Sequence, residues 1–182
     1  MKRLLIVSAI VSLIFQSCAL QVNLLNPKPN LNLNEEKEKL ALVIDDDIKD
    51  VFVVPKNNGV KQFNVTEWHN SLKQGFVNGF RDYYTIVDDK ADAGLILELS
   101  RTDFEFVPAS VGAYWGVQST FTLNAQITFK AKLTAKNGEV INKNAGTAVS
   151  KSPGGFRGQF TEVAESAIES MYEIIGKELF IN

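Results

Sequence analysis

Between Ser119 and Val140 the chain reads STFTLNAQITFKAKLTAKNGEV, and this stretch constrains the fold more than any other. Phe121, Leu123, Ala125, Ile127, Phe129, Ala131 and Leu133 alternate with Thr120, Thr122, Asn124, Gln126, Thr128, Lys130 and Lys132. A two-residue period predicts one long strand with a buried face and a wet face. Asn137-Gly138 then reads as a two-residue hairpin turn, since both residues tolerate positive φ. EVINKNAGTAVSKS returns as the partner strand, and Pro153-Gly154-Gly155 breaks the pairing. The apolar face of such a hairpin has to be covered by the rest of the chain.

Two helices are available to cover it. In NVTEWHNSLKQGFVNGFRDY, Val65, Trp68, Leu72, Phe76 and Phe80 recur at three- and four-residue steps, one face of a helix. Asn64 and Glu67 stand at capping-box spacing, and Gly75 and Gly79 suggest close packing on a sheet. The last helix, from about Gln159 to Phe180, has the stripe Ala164, Ile168, Met171, Ile175, Leu179, with Glu162, Glu165, Glu169 and Glu173 elsewhere. Strands are also expected at LALVID, VFVVP, YYTIVD and AGLILELSRTDFEFV. In the last of these the apolar parity changes, which predicts a bulge near Arg101–Asp103. The expected fold is α+β: a mostly antiparallel sheet of about four to six strands with two helices on one face, in the order β-α-β-β-β-β-α.

The N-terminus carries a different signal. Met1-Lys2-Arg3 is followed by an uncharged apolar run from Leu4 to Phe15, then Gln16, Ser17 and Cys18, the only cysteine. A basic start, an apolar run and a small-residue exit are the layout of a secretory signal. The run of about 12 residues is short of the ~20 that a spanning helix needs. Phe15-Gln16-Ser17-Cys18 looks like a loose lipobox, with Phe15 for the usual leucine and Gln16 larger than usual. We therefore expect residues 1–17 to be a lipoprotein signal peptide and Cys18 the lipid attachment site. Ala19, rather than aspartate, points to the outer membrane. Residues 18–39, rich in Asn with Pro27, Pro29 and a charge run, read as a lipidated start and flexible tether. Residues 40–182 form a single domain.

Catalytic constellations are not found. His69 is the only histidine, which makes a poor metal site or general base, and there is no Gly-x-Ser-x-Gly elbow. Asp45-Asp46-Asp47 with Asp50, and Asp88-Asp89 with Asp92, read as solvated strand ends. No catalytic residue, metal ligand or cofactor is expected. Loss of Lys2 and Arg3 leaves 17 basic against 21 acidic residues, an acidic balance that argues against nucleic acid. Val107–Ser119, VPASVGAYWGVQS, joins two long strands and carries Tyr114 and Trp115, which can anchor a partner or fold back over the core.

The ordered set GFRDYYTIVD, AGLILELSRTDFEF, ITFKAKLTAKNGEVINKNAG, Gly154-Gly155-Phe156 and EVAESAIESMYEII, behind a lipidated cysteine, resembles the YajG-type lipoproteins from about Leu40 to Phe180. The resemblance implies an outer-membrane lipoprotein with an α+β domain, and it brings no catalytic residues. The expected function is a non-enzymatic, lipid-anchored accessory that binds an envelope protein or glycan. The alternative is a carrier of lipid or a small ligand in a groove between helices and sheet.

Overall fold

The computed structural model describes residues 20–54, 63–109, 123–153 and 159–181. In chain order the elements are β1 (Leu20–Val22), β2 (Lys39–Ile44), β3 (Phe52–Val54), β4 (Phe63–Val65), α1 (Trp68–Phe80), β5 (Thr85–Ile86), β6 (Leu95–Pro108), β7 (Leu123–Ala135), β8 (Val140–Val149) and α2 (Gln159–Phe180). The expected α+β class holds. Five strands form the main sheet in the order β5-β2-β6-β7-β8, and three short ones form a second sheet, β1-β4-β3. The long β6-β7-β8 ladders are antiparallel. β2 is parallel to both of its neighbours, and the crossover from β2 to β6 contains α1, as parallel pairing requires.

The alternation in β7 does what its period demands. Ala125, Ile127, Phe129, Ala131 and Leu133 are buried against the helices. β6 keeps its apolar residues on that face by shifting register between Leu99 and Arg101. Leu95, Leu97 and Leu99 precede the shift, and Thr102 and Phe104 follow it on the same buried side. The bulge therefore falls just before the stretch expected from the parity change.

The hairpin turn is one residue longer than expected. Gly138 has φ 85°, and Asn137 does not share the positive φ. Ala135 N donates to Glu139 O at 2.9 Å, and Gly138 N donates to Ala135 O at 2.9 Å. This is a three-residue loop closed by a glycine in the left-handed region.

Both helices bury their predicted stripes except at Val65, which is buried in β4 rather than in α1. Trp68, Leu72, Phe76 and Phe80 of α1 meet Ala164, Ile168, Met171, Ile175 and Leu179 of α2 in one cluster with the sheet. The expected capping box is not formed. Asn64 belongs to β4, paired with Gln21 and Val53, and Glu67 adopts φ 56° at the helix start without a side-chain cap. The first amides are instead satisfied from a distant loop: Asp50 O accepts from Trp68 N at 3.2 Å, and Asp50 Oδ1 accepts from His69 N at 2.8 Å.

The largest departure from expectation is in the segment read as a tether. Leu25, Pro27, Pro29 and Leu31 are buried, so the folded unit begins well before Leu40. Gly75 and Gly79 serve this segment. A Cβ on Gly75 would meet Tyr172 Cε2 at 2.9 Å and Pro27 Cγ at 3.0 Å, and one on Gly79 would meet Leu31 Cδ1 and Pro29 Cγ at 3.3 Å. The glycines face α2 and this strap, not the sheet.

Candidate functional site

The strap descends from β1 through the groove between α1 and α2. Its even-numbered residues point their amides at a row of carboxylates on α2. Asn26 N donates to Glu165 Oε1 at 2.8 Å, Lys28 N to Glu169 Oε1 at 2.9 Å, and Asn30 N to Glu173 Oε1 at 3.2 Å. Two extended residues advance about 6.6 Å, and four helical residues advance about 6.0 Å. The two periods match closely enough for three successive rungs.

The odd-numbered side faces α1, where amides would be buried. Leu25 N finds Ser71 Oγ at 3.0 Å. At 27 and 29 the residue is proline, which has no N–H to leave unpaired. Carbonyls on the strap are also taken: Asn78 Nδ2 donates to Pro27 O at 2.9 Å, and the Tyr83 hydroxyl donates to Leu31 O. Leu31 also covers Gly176, where a Cβ would lie 3.1 Å from Leu31 Cδ2. Beneath the strap the Tyr172 hydroxyl donates to Leu72 O at 2.8 Å, joining the helices. Burial pushes the Tyr172 phenol well above its ordinary pKa. Tyr84, at the far end of the helices, is pushed up to about 12 by burial, aided by the Glu36 and Glu38 carboxylates.

The groove between helices and sheet that a carrier would need is filled in the described residues. Trp68, Phe80, Phe129 and Tyr172 are fully buried there, with Trp68 packed edge-on against Phe52 and tilted against Phe104. Trp68 Nε1 donates to Thr102 Oγ1 at 2.9 Å.

The concavities lie elsewhere and are open. One of about 530 Å³ is lined by Leu42, Val43, Ile44, Asp46, His69 and Lys73 with Asp88, Asp89 and Lys90. His69 Nε2 lies 2.7 Å from Ile48 O, which ties the first turn of α1 to the loop that caps it. Asp45 Oδ1 accepts from Asp47 N and Asp89 Oδ1 from Ala91 N, both as turn contacts. Among the described residues no three of His, Cys, Asp and Glu converge to hold a metal ion. Another concavity, on the open face of the sheet, is lined by Ser100, Lys130, Lys132 and Lys143, with Lys132 Nζ 3.0 Å from Glu98.

Cys18, Tyr114 and Trp115 lie outside the described residues. What is described is where their segments join the fold. Cys18 stands two residues before β1. The segment carrying Tyr114 and Trp115 leaves after Ala109 and returns at Leu123, the partner of Pro108. Phe106 stacks edge-on with Phe160 at the start of α2, and Phe104 meets Phe52 of β3, whose neighbour in the ladder, Val65, also pairs with Val22. The N-terminal strand, the end of β6 and the start of α2 thus share one end of the molecule. The strap was missed in the sequence, although Leu25, Pro27, Pro29, Leu31 and Leu33 alternate with Asn and Lys there.

No protein-family model and no curated protein sequence matches the chain. Solved structures do. Protein XCC0632 from Xanthomonas campestris, of family model DUF330, is similar over 87% of this chain and 90% of its own, with 15% identity and a TM-score of 0.52. A minor lipoprotein from Acinetobacter baumannii is similar over 80% of this chain and 92% of its own, with 13% identity and a TM-score of 0.42. Uncharacterized lipoprotein B from Nitrosomonas europaea is similar over 79% and 85%, with 9% identity and a TM-score of 0.38. The likeness to XCC0632 is one of fold, and the two looser ones carry no argument. The resemblance to YajG-type lipoproteins rests on the residues that suggested it.

Proposed function

We propose that this chain is a non-enzymatic envelope lipoprotein, anchored to the outer membrane through Cys18, whose α+β domain binds an envelope protein or glycan. The observation that supports the anchor is the pairing of β1 with β4 from Leu20: a cut just before Cys18 leaves every described residue in the mature chain. The lipobox-like Phe15-Gln16-Ser17-Cys18 marks that cut.

The segment bearing Tyr114 and Trp115 is the proposed partner contact. A photocrosslinking amino acid in place of Trp115, in the membrane-bound protein, tests this. Protein or glycan adducts are expected. Co-purified lipid with no adduct would favour the carrier instead, for which the packed space between helices and sheet leaves little room.

A further inference from the structure

The main sheet ends on β5 at one side and on β8 at the other. β5 is 2 residues long and offers little to a further strand, whereas β8 runs for 10. Ser150, just past β8, donates its N–H to Ala125 O at 2.9 Å, so the even-numbered residues of this strand turn their amides and carbonyls toward β7. In an antiparallel ladder the alternate residues point the other way. Lys143, Ala145, Thr147 and Val149 therefore present N–H and C=O groups at the open edge, where no described strand meets them. All four residues are exposed. Edges that must stay single are kept short, covered, or blocked by proline and charge. β8 is long, has no proline and carries one charge, Lys143.

We infer that β8 is a homodimer interface, through which two copies of this chain pair edge to edge, antiparallel about a two-fold axis at Ala145. The two five-stranded sheets then join into one. Such an interface uses the same patch on both subunits, so the strand has to be complementary to itself.

The occupant is a second copy because β8 meets that condition in one register. Residues that exchange hydrogen bonds face each other, so odd-numbered residues pair with odd. With Ala145 opposite Ala145 of the second copy, Lys143 meets Thr147 and Ile141 meets Val149. Ile141 and Val149 are 43% and 40% exposed in the single chain, and this pairing sets each against the other. The two lysines stand four residues apart along the strands, about 13 Å, beyond the screening length of about 8 Å in physiological salt. Moving the register by two residues either way sets Ile141 against Thr147 or Lys143 against Val149, and the apolar match is lost.

The test uses the full chain with Cys18→Ala, so that an introduced thiol is the only one. Opposite residues that exchange hydrogen bonds lie about 5.5 Å apart at Cα, inside the range of about 4.4–6.8 Å that a disulfide spans. Ala145→Cys should therefore give a covalent dimer on mild oxidation. Thr147→Cys should give several-fold less, because its two copies stand about 13 Å apart. Ala145→Pro removes an N–H that β7 does not use, so the ladder within the chain is kept. Folded by circular dichroism, this variant should dimerise about tenfold more weakly in sedimentation, having lost the hydrogen bonds at the two-fold axis. A parent chain that sediments as a monomer would overturn the interface, as would cross-linking at 147 that equals or exceeds that at 145. A folded Ala145→Pro variant that dimerises as well as the parent would overturn it too.

Discussion

Pro27 sits directly over Gly75: a Cβ built on that glycine would come within 3.0 Å of the proline Cγ. The same Cβ would meet Tyr172 Cε2 at 2.9 Å, and Tyr172 is fully buried with its hydroxyl fixed to Leu72 O. Nothing rigid on either side can give way. Gly75→Ala should therefore destabilise the protein by about 1–3 kcal/mol, the usual cost of overpacking. Gly79→Ala is the contrast. Its neighbours, Leu31 Cδ1 and the Pro29 ring, stand farther off at 3.3 Å, where a shift of a few tenths of an ångström is enough, and alanine adds about 1 kcal/mol of helix propensity. Its urea midpoint should stay close to that of the parent.

The strap itself is testable by truncating its best-buried side chain. Leu25 is 0% exposed. Leu25→Ala should cost about 2–5 kcal/mol, as for other buried leucines. A tether would show no change in the same denaturation curve. Glu169→Gln, which keeps an acceptor for Lys28 N at a solvent-exposed rung, should cost less than about 1 kcal/mol.

Trp68 and Thr102 form a polar pair inside the aromatic cluster. Thr102→Val keeps the shape and leaves the buried indole N–H without its acceptor. A loss of about 1–3 kcal/mol is expected from such an orphaned donor. Thr102→Ser keeps the hydroxyl, so it should retain more stability than the valine variant in parallel urea titrations.

Two buried tyrosines set an alkaline limit. Tyr84 is pushed up to about 12, and Tyr172 is raised further in the same direction. The folded state thus holds these protons more tightly than the unfolded chain, whose tyrosines titrate near pH 10. The stabilisation is complete below about pH 10 and is lost as pH rises through the folded value. Urea midpoints measured from pH 8 to 12 should be level at first, then fall above about pH 10. Tyr172→Phe should flatten that fall.

The hairpin, both helices and the β6 register shift were legible because each rests on a period that local chemistry enforces. Phe129 and Ile168 are core by spacing alone. The strap was not legible in the same way, because Pro27 and Pro29 ordinarily mark a chain that avoids regular structure. Their missing amides are what allow the segment to lie against α1, and only the placement of Ser71, Gly75 and Gly79 reveals that. Asp50 capping α1 from outside its own turn displaced the local box of Asn64 and Glu67, since Asn64 was already taken into the β1-β4-β3 ladder. Of the candidate site residues, Cys18 was marked by its position after an apolar run, and it lies outside the described residues. Tyr114 and Trp115 were marked by composition, and the described fold gives only the strand ends they join.

The anchor at Cys18 is the claim on which the rest depends, and intact mass tests it most directly. The protein is extracted from membranes beside a Cys18→Ala variant. We predict a mature chain that begins at Cys18 and carries the added mass of acyl chains, with the alanine variant unacylated. A chain cut at another position with an unmodified thiol would contradict the account and return the protein to the class of freely diffusing secreted domains.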